Sequence, residues 1–246
     1  MNIKDYLDST YLKTPEQSGL TKKETWEQVK KLTEEAIENG LYAVMIRPEF
    51  VKKTRKLIDD KKSKVVLGTV ISFHQGTLDT ESKIAEAKQA IADGADELDF
   101  VINYKSYKSG NLNGVAEEVK LCNEFVLGKN KVIKWIIETA ALNDEQIIGL
   151  TKLIKSVTKE YNPGQEDKVF VKSSTGFYKT SDGKPNGATP HNIKLMLDNA
   201  GDLPVKAAGG VRNYQEAKAM VDLGVKRIGT SSALAIANGK ESSGDY

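Results

Sequence analysis

The chain has 246 residues, 39% hydrophobic and 28% charged, and its 36 Lys and Arg against 34 Asp and Glu leave a formal charge of +2. That composition can bury a full core without disulfides or metals, and it excludes a disordered chain, a collagen-like repeat and a disulfide scaffold. The near-neutral balance supplies no overall field for nucleic acid or an anionic membrane.

The predicted elements alternate along the chain. A strand over 6–10 is followed by a helix over 22–39, a strand over 42–46 and a helix over 48–60. Next come strand 65–71, helix 80–93, strand 97–102 and helix 114–127. Strand 132–138, helix 144–160, strand 169–173, helix 189–199, strand 205–208, helix 214–223 and strand 226–230 complete the pattern, with a shorter helix after Ser232. Asn39-Gly40, Asp93-Gly94, Ala200-Gly201 and Leu223-Gly224 each set a glycine between a helix and the next strand, the usual left-handed stop. Asn143 and Thr189 stand where helix caps belong. Strands alternating with helices of this length predict βα units and a parallel sheet.

Eight such units in about 250 residues predict an α/β fold of one domain, a closed TIM (β/α)8 barrel over 1–238. Residues 239–246 are polar and rich in Gly and Ser, and are expected to form a flexible tail. An open doubly wound sheet is the alternative, but no Gly-x-Gly-x-x-Gly fingerprint follows the first strand. The N-terminus has no secretory apolar core, and the apolar runs are broken by Lys134 or Glu138, so the chain reads as cytoplasmic, with no membrane partner. The single cysteine, Cys122, falls on the apolar side of its helix and is expected to be a buried structural thiol.

Barrels carry their chemistry at the C-terminal ends of strands. Asp99, Lys172 and Lys206 are charged residues among apolar neighbours in three predicted strands. The helix-facing side of such strands is packed, so the interior near the top is the expected place. Lys172 and Lys206 fall on neighbouring strands, where two ammonium groups and desolvation together favour one neutral amine. A neutral lysine can attack a carbonyl and form a Schiff base, with Asp99 moving protons. An Asp–Lys ion pair that merely fills the interior is the competing explanation. Lys134 is a further candidate interior charge, against a solvated strand start. Gly209-Gly210 and Gly229-Thr230-Ser231-Ser232 follow strands seven and eight, where such barrels frequently bind phosphate through backbone N–H groups. Ser173-Ser174-Thr175-Gly176 opens a long loop. His74 and His191 have no ligand partners at metal spacing, so no metal is expected, and Trp26 and Trp135 are expected to serve packing.

At these residues the sequence resembles the deoxyribose-phosphate aldolase family over nearly its whole length. Lys172-Ser173-Ser174-Thr175-Gly176-Phe177, Lys206-Ala207-Ala208-Gly209-Gly210-Val211-Arg212 and Glu97-Leu98-Asp99-Phe100-Val101 carry the resemblance, with Ile136-Ile137-Glu138-Thr139 and Gly187-Ala188-Thr189 beside them. It implies a metal-free class I aldolase without cofactor, acting in deoxyribonucleoside catabolism. Such an enzyme reversibly cleaves 2-deoxy-D-ribose 5-phosphate to D-glyceraldehyde 3-phosphate and acetaldehyde. The resemblance makes Lys172 the Schiff-base lysine, Lys206 the group that lowers its pKa, and Asp99 the proton donor and acceptor. It gives Thr175, Gly176, Gly209, Gly210, Gly229, Ser231 and Ser232 to substrate and phosphate, with Asp8 and Thr10 near the substrate. Lys134 and a terminal Tyr246, folding over the site, are accessory candidates. A homodimer or other homo-oligomer is the expected assembly.

Three departures bear on rate and substrate preference rather than reaction type: Ser173 beside the nucleophile, Ser72-Phe73-His74-Gln75-Gly76, and Met45-Ile46-Arg47-Pro48. Two other readings remain: another Schiff-base phosphate barrel, such as a thiazole synthase or transaldolase-like enzyme, and a catalytically silent sugar-phosphate binder. A binder has no need of the lysine pair.

Overall fold

In a computed structural model, which describes residues 2–181, 183 and 185–239, eight parallel strands close into a barrel in sequence order. They are β1 (Leu7–Tyr11), β2 (Ala43–Ile46), β3 (Val66–Ile71), β4 (Glu97–Val101), β5 (Val132–Ile136), β6 (Val169–Lys172), β7 (Val205–Ala208) and β8 (Arg227–Thr230). β8 pairs back onto β1, Asp8 against Gly229.

The helices between them are α1 (Pro15–Ser18), α2 (Lys22–Asn39), α3 (Val51–Asp60), α4 (Thr80–Ala92), α5 (Tyr104–Lys108), α6 (Leu112–Leu127), α7 (Asp144–Tyr161), α8 (Pro190–Ala200), α9 (Tyr214–Leu223) and α10 (Ala233–Ala237). The caps act as the sequence implies. Thr21 and Glu24 bond reciprocally at the start of α2, and Gly40 ends it in the left-handed region at φ 63°. Sequence periodicity passes over α1 and α5, because four or five residues hold too little of a 3.6-residue repeat to register. The helix expected from Pro48 begins as a 3₁₀ turn over Pro48–Phe50, and the regular helix starts at Val51.

Alternation along the strands splits the side chains into two populations. Leu98, Phe100, Trp135 and Val171 join the continuous apolar layer between barrel and helices. Trp135 is fully buried there and donates its indole N–H to Asn123 of α6 at 2.9 Å. Cys122 lies in the same layer, and burial pushes its thiol far above the ordinary value, so it is unreactive. The residues in between point into the barrel, and from β4 to β8 many of them are charged.

One buried ion pair lies outside the barrel. Lys83 of α4 is wholly buried and donates to the carbonyls of Gly76 and Val101 and to the carboxylate of Glu118, at 2.9, 2.8 and 2.6 Å. It ties the loop after β3 and the end of β4 to α6. Lys83→Met leaves Glu118 buried without its cation and two carbonyls without their donor. The expected loss is about 3–5 kcal/mol of stability, read as a lower midpoint in urea unfolding. No helix among the described residues is long and apolar enough to cross a membrane.

Candidate active site

The site grows from strand register. Asp99 is opposite Lys134 on β5, and Lys172 of β6 is opposite Lys206 of β7. Since all four point inward, three ammonium groups converge on one carboxylate. Lys134 donates to Oδ1 of Asp99 at 2.8 Å, while Lys172 and Lys206 share Oδ2, each at 2.8 Å. The network continues downward. Lys134 meets Glu97 at 2.6 Å, Lys206 meets Asp8 at 2.5 Å, and Arg227 bridges Asp8 and Glu97.

Burial opposes every one of these charges, so each survives only through its partners. For Asp99, burial is outweighed by Lys134, Lys172 and Lys206, which hold the carboxyl well below the usual range. For Lys134, burial is outweighed by Asp99 and Glu97, and its pKa rises. Lys172 behaves differently. Burial, with help from the Lys206 and Lys134 charges, prevails over the pull of Asp99 and brings Lys172 down to about 8. The reason is the distribution of partners. Lys134, Lys206 and Arg227 each touch two carboxylates, whereas Lys172 shares a single oxygen. Asp8, Glu97 and Asp99 face Lys134, Lys172, Lys206 and Arg227, so one positive charge is in excess when all are ionised. Lys172 is the cation that relieves it at least cost.

The expectation that all these charges stand at strand ends needs correction. Only Lys172 ends its strand; Asp99 is in the middle of β4, and Lys206 is the second residue of β7. The charges run down the barrel axis because seven side chains that pair with one another are more stable stacked in layers than crowded at the rim. Lys134, far from a solvated strand start, is fully buried. Asp8 is likewise fully buried and joins the charge network, with its oxygens on Lys206 and Arg227. Thr10 donates its hydroxyl to the Asp8 carbonyl at 2.9 Å.

Above Lys172 the loops after β6, β7 and β8 are knitted together. Gly176 receives the Asn186 side-chain amide on its carbonyl at 3.1 Å, and Ala188 donates its N–H to the carbonyls of Ala208 and Gly209. Thr230 donates to Val211, joining the β8 turn to the β7 turn. Gly209 and Gly210 both sit at φ 83°, which a side chain would strain, and Gly187 leaves no space for a Cβ against Gly209. A cavity of about 430 Å³ opens here, lined among others by Asn186, Gly187, Thr189, Gly209, Gly210 and Arg212. Thr175, Gly176 and Ser232 are buried and Ser231 is exposed, and none of the four lines that cavity, which runs instead to Glu216, Ala219 and Met220 of α9. Gly229 lies in β8, where a Cβ would come within 3.1 Å of Lys206 Cε, so its absent side chain also makes room for that lysine. Tyr246 falls outside the described residues, as does 240–245.

Two groups that the residue-by-residue reading left without a role belong to this site. Glu138, just past β5 at φ 56°, is 1% exposed and accepts hydrogen bonds from Ser174 at 2.8 Å and from Thr175. Burial raises its carboxyl pKa against the effect of those hydroxyls. Its signals were its place as a lone Glu at the end of an apolar strand and within the Ile136-Ile137-Glu138-Thr139 stretch that shares in the resemblance. Arg227 is the other, and a Lys-Arg pair at a strand start does not say which member turns inward. Glu97 was more legible, because it is two residues from Asp99 and alternation puts both on one face.

The opposite side of the mouth is apolar. Leu12, Met45 and Val70 form a small cluster under Phe73 and Phe177, whose rings meet edge-on at 5.2 Å. His74 and Arg47 complete this roof; Arg47 is 5.1 Å above the Phe73 ring and bonds the Leu12 carbonyl at 2.8 Å. Ser173 bonds the Ala208 carbonyl and N–H at 2.9 Å each, locking β6 to β7. His191 is exposed and pairs with Asp144 at 2.8 Å, away from the strands.

The chain is similar to known proteins over nearly all its length. Residues 8–239 match the model of the DeoC/LacD family aldolases. A deoxyribose-phosphate aldolase of Thermococcus gammatolerans is 38% identical over 240 residues, covering 97% of this chain and 96% of that one. One of Staphylococcus saprophyticus is 39% identical over 249 residues, covering 100% of both. Among solved structures, an aldolase designated QR15 superposes with a TM-score of 0.79 at 34% identity, covering 97% of this chain and 95% of that chain. A deoxyribose phosphate aldolase of Aeropyrum pernix, described as a tetramer, gives 0.77 at 28% identity, covering 96% and 89%.

Proposed function

The chain belongs to the DeoC/LacD family of aldolases, and from that premise we propose that its barrel cleaves 2-deoxy-D-ribose 5-phosphate to D-glyceraldehyde 3-phosphate and acetaldehyde through a Schiff base on Lys172. The observation that carries this reading is the sharing of one Asp99 oxygen by Lys172 and Lys206, buried in the barrel.

The amine of Lys172 attacks the substrate aldehyde, and loss of water leaves a protonated imine. That cation draws the electrons of the C2–C3 bond as it breaks, while the C3 hydroxyl loses its proton and becomes the carbonyl of the leaving triose phosphate. The two remaining carbons stay on Lys172 as an enamine, take a proton at C2 and leave as acetaldehyde on hydrolysis. The nearest acceptor for a proton leaving Lys172 is Asp99 Oδ2 at 2.8 Å, with Lys206 on the same oxygen. A carboxyl held so far below its usual range keeps a proton only briefly, which suits a relay better than a store. The glycine-lined cavity between the β6 and β7 loops is suited to the phosphate: positive-φ glycines let backbone N–H groups approach an anion closely. A homo-oligomer is the assembly we propose, by analogy with the tetrameric A. pernix protein.

The test is borohydride trapping. After incubation with acetaldehyde and reduction, an ethyl adduct is expected on Lys172 and located by mass spectrometry. With Lys172 near 8, about a tenth of it is neutral at pH 7, against roughly one part in 3,000 for an ordinary lysine. Only the neutral amine attacks, so trapping is expected to accelerate as pH rises towards about 8 and to level off above it. An adduct on Lys206 would exchange the two roles, and no adduct at all would leave a sugar-phosphate-binding barrel.

A further inference from the structure

The lower half of the charge network touches neither Lys172 nor the loops above it, yet it decides what reaches Lys172. Arg227 is at the N-terminal end of β8, 3% exposed, with the Tyr42 ring 3.7 Å from its guanidinium carbon. It bonds Oδ1 of Asp8 through Nε at 2.7 Å and both oxygens of Glu97 at 3.1 Å. Those two carboxylates are also the second partners of the other lysines: Glu97 of Lys134 and Asp8 of Lys206. Every contact that Arg227 makes with Asp8 or Glu97 is therefore drawn from a carboxylate that Lys206 or Lys134 also uses. Whatever those lysines do not obtain below, they take from Asp99, which among the described residues is the one carboxylate in salt-bridge contact with Lys172.

Resting on the aldolase reading above, we propose that Arg227 and Glu97 are positioning residues that set, through Lys134, Lys206 and Asp99, how much of Lys172 stands as the uncharged nucleophile. The groups that bear on Lys172 are Asp99 from β4, Lys134 and Glu138 from β5 and the turn beyond it, and Lys206 from β7. Those around Arg227 are Asp8 from β1, Tyr42 before β2, Glu97 from β4 and, across the register, Lys206 of β7. The sign for each change follows from this arrangement. Arg227→Gln removes a positive charge and releases Asp8 and Glu97 to their lysines. Asp99 is then freer for Lys172, whose cation is stabilised. Glu97→Gln removes a negative charge and leaves Lys134 with Asp99 alone. Lys172 then loses its share and gives up its proton more readily. In both cases the direct field and the redistribution of partners act in the same direction.

The experiment is the pH dependence of acetaldehyde trapping on Lys172, from about pH 6 to about pH 10, in the full-length wild type and three variants. The midpoint is expected to move up by about one pH unit in Arg227→Gln and down by about one in Glu97→Gln. The double variant Arg227→Gln/Glu97→Gln, which restores the wild-type excess charge, is expected to return close to the wild-type midpoint. A residue that only supports the fold would change yield or melting temperature without opposite midpoint shifts, and without recovery in the double variant. Unmoved midpoints, or shifts in the same direction, overturn the proposal; if one single variant fails to fold, the other and the double variant decide it. Absence of an adduct in the wild type would overturn the Schiff-base reading itself, a result distinct from unshifted midpoints.

Discussion

Lys172→Met is expected to abolish aldolase activity, with a fall in kcat/KM on the order of 10⁴-fold or more, because no other side chain replaces the covalent electron sink. The same variant is expected to unfold at an equal or higher temperature. Bringing a lysine from 10.5 down to about 8 sets about 3 kcal/mol of folding free energy against the cation at neutral pH. A methionine of similar length avoids that cost, and Asp99 keeps Lys134 and Lys206. The pH sign is testable. Between about 8 and 10.5 the unfolded wild type binds more protons at this position than the folded form, so wild-type stability gains from Lys172 as pH rises through that window. The advantage of the variant should therefore be full below about pH 8 and shrink towards 10.5. Thermal melts at several pH values, with coupled-enzyme assay of the triose phosphate, measure both effects. A variant that lost stability as well as activity would show that Lys172 contributes to the fold.

Asp99→Asn is expected to do the reverse: to damage both fold and catalysis. The carboxylate is the shared partner of Lys134, Lys172 and Lys206, and its loss leaves those ammonium groups facing only Asp8 and Glu97. Breaking a buried pair from one side costs about 3–5 kcal/mol, and loss of the proton relay a further 10²–10⁴-fold or so in kcat. Asp99 is held below its unfolded value of 3.8, so its contribution is present above about pH 4 and lost as pH falls further. The gap between wild type and variant should thus narrow in acid. Asp99 also holds the proton on Lys172, so without it Lys172 deprotonates below about 8 and the variant should recover part of its stability as pH rises towards that value. Urea unfolding across pH, with initial rates for the surviving folded fraction, reads both. An unchanged midpoint at pH 7 would mean the lysines had found other partners.

The contrast between these residues shows where local sequence suffices. Helix–glycine–strand spacing settled the eight units, because caps, left-handed stops and apolar periodicity act over a few residues and need no distant partner. Thr21, Glu24 and Gly40 bound α2 as they would in isolation. The motifs around Asp99, Lys172 and Lys206 were legible as candidates, since charges among apolar neighbours have few places to go. Depth in the barrel was not legible. Whether Asp99 stands at the rim or mid-strand depends on the stagger of neighbouring strands, which only closure sets. That Gly229 faces the Lys206 stem was not legible either, because the two lie on neighbouring strands that only closure brings together. Arg227 and Glu97 are 130 residues apart, and nothing in either segment indicates the other. Residue types and chemistry were thus inherent in the chain. Which lysine is left with the smallest share of carboxylate is a property of charges that meet only when the barrel closes.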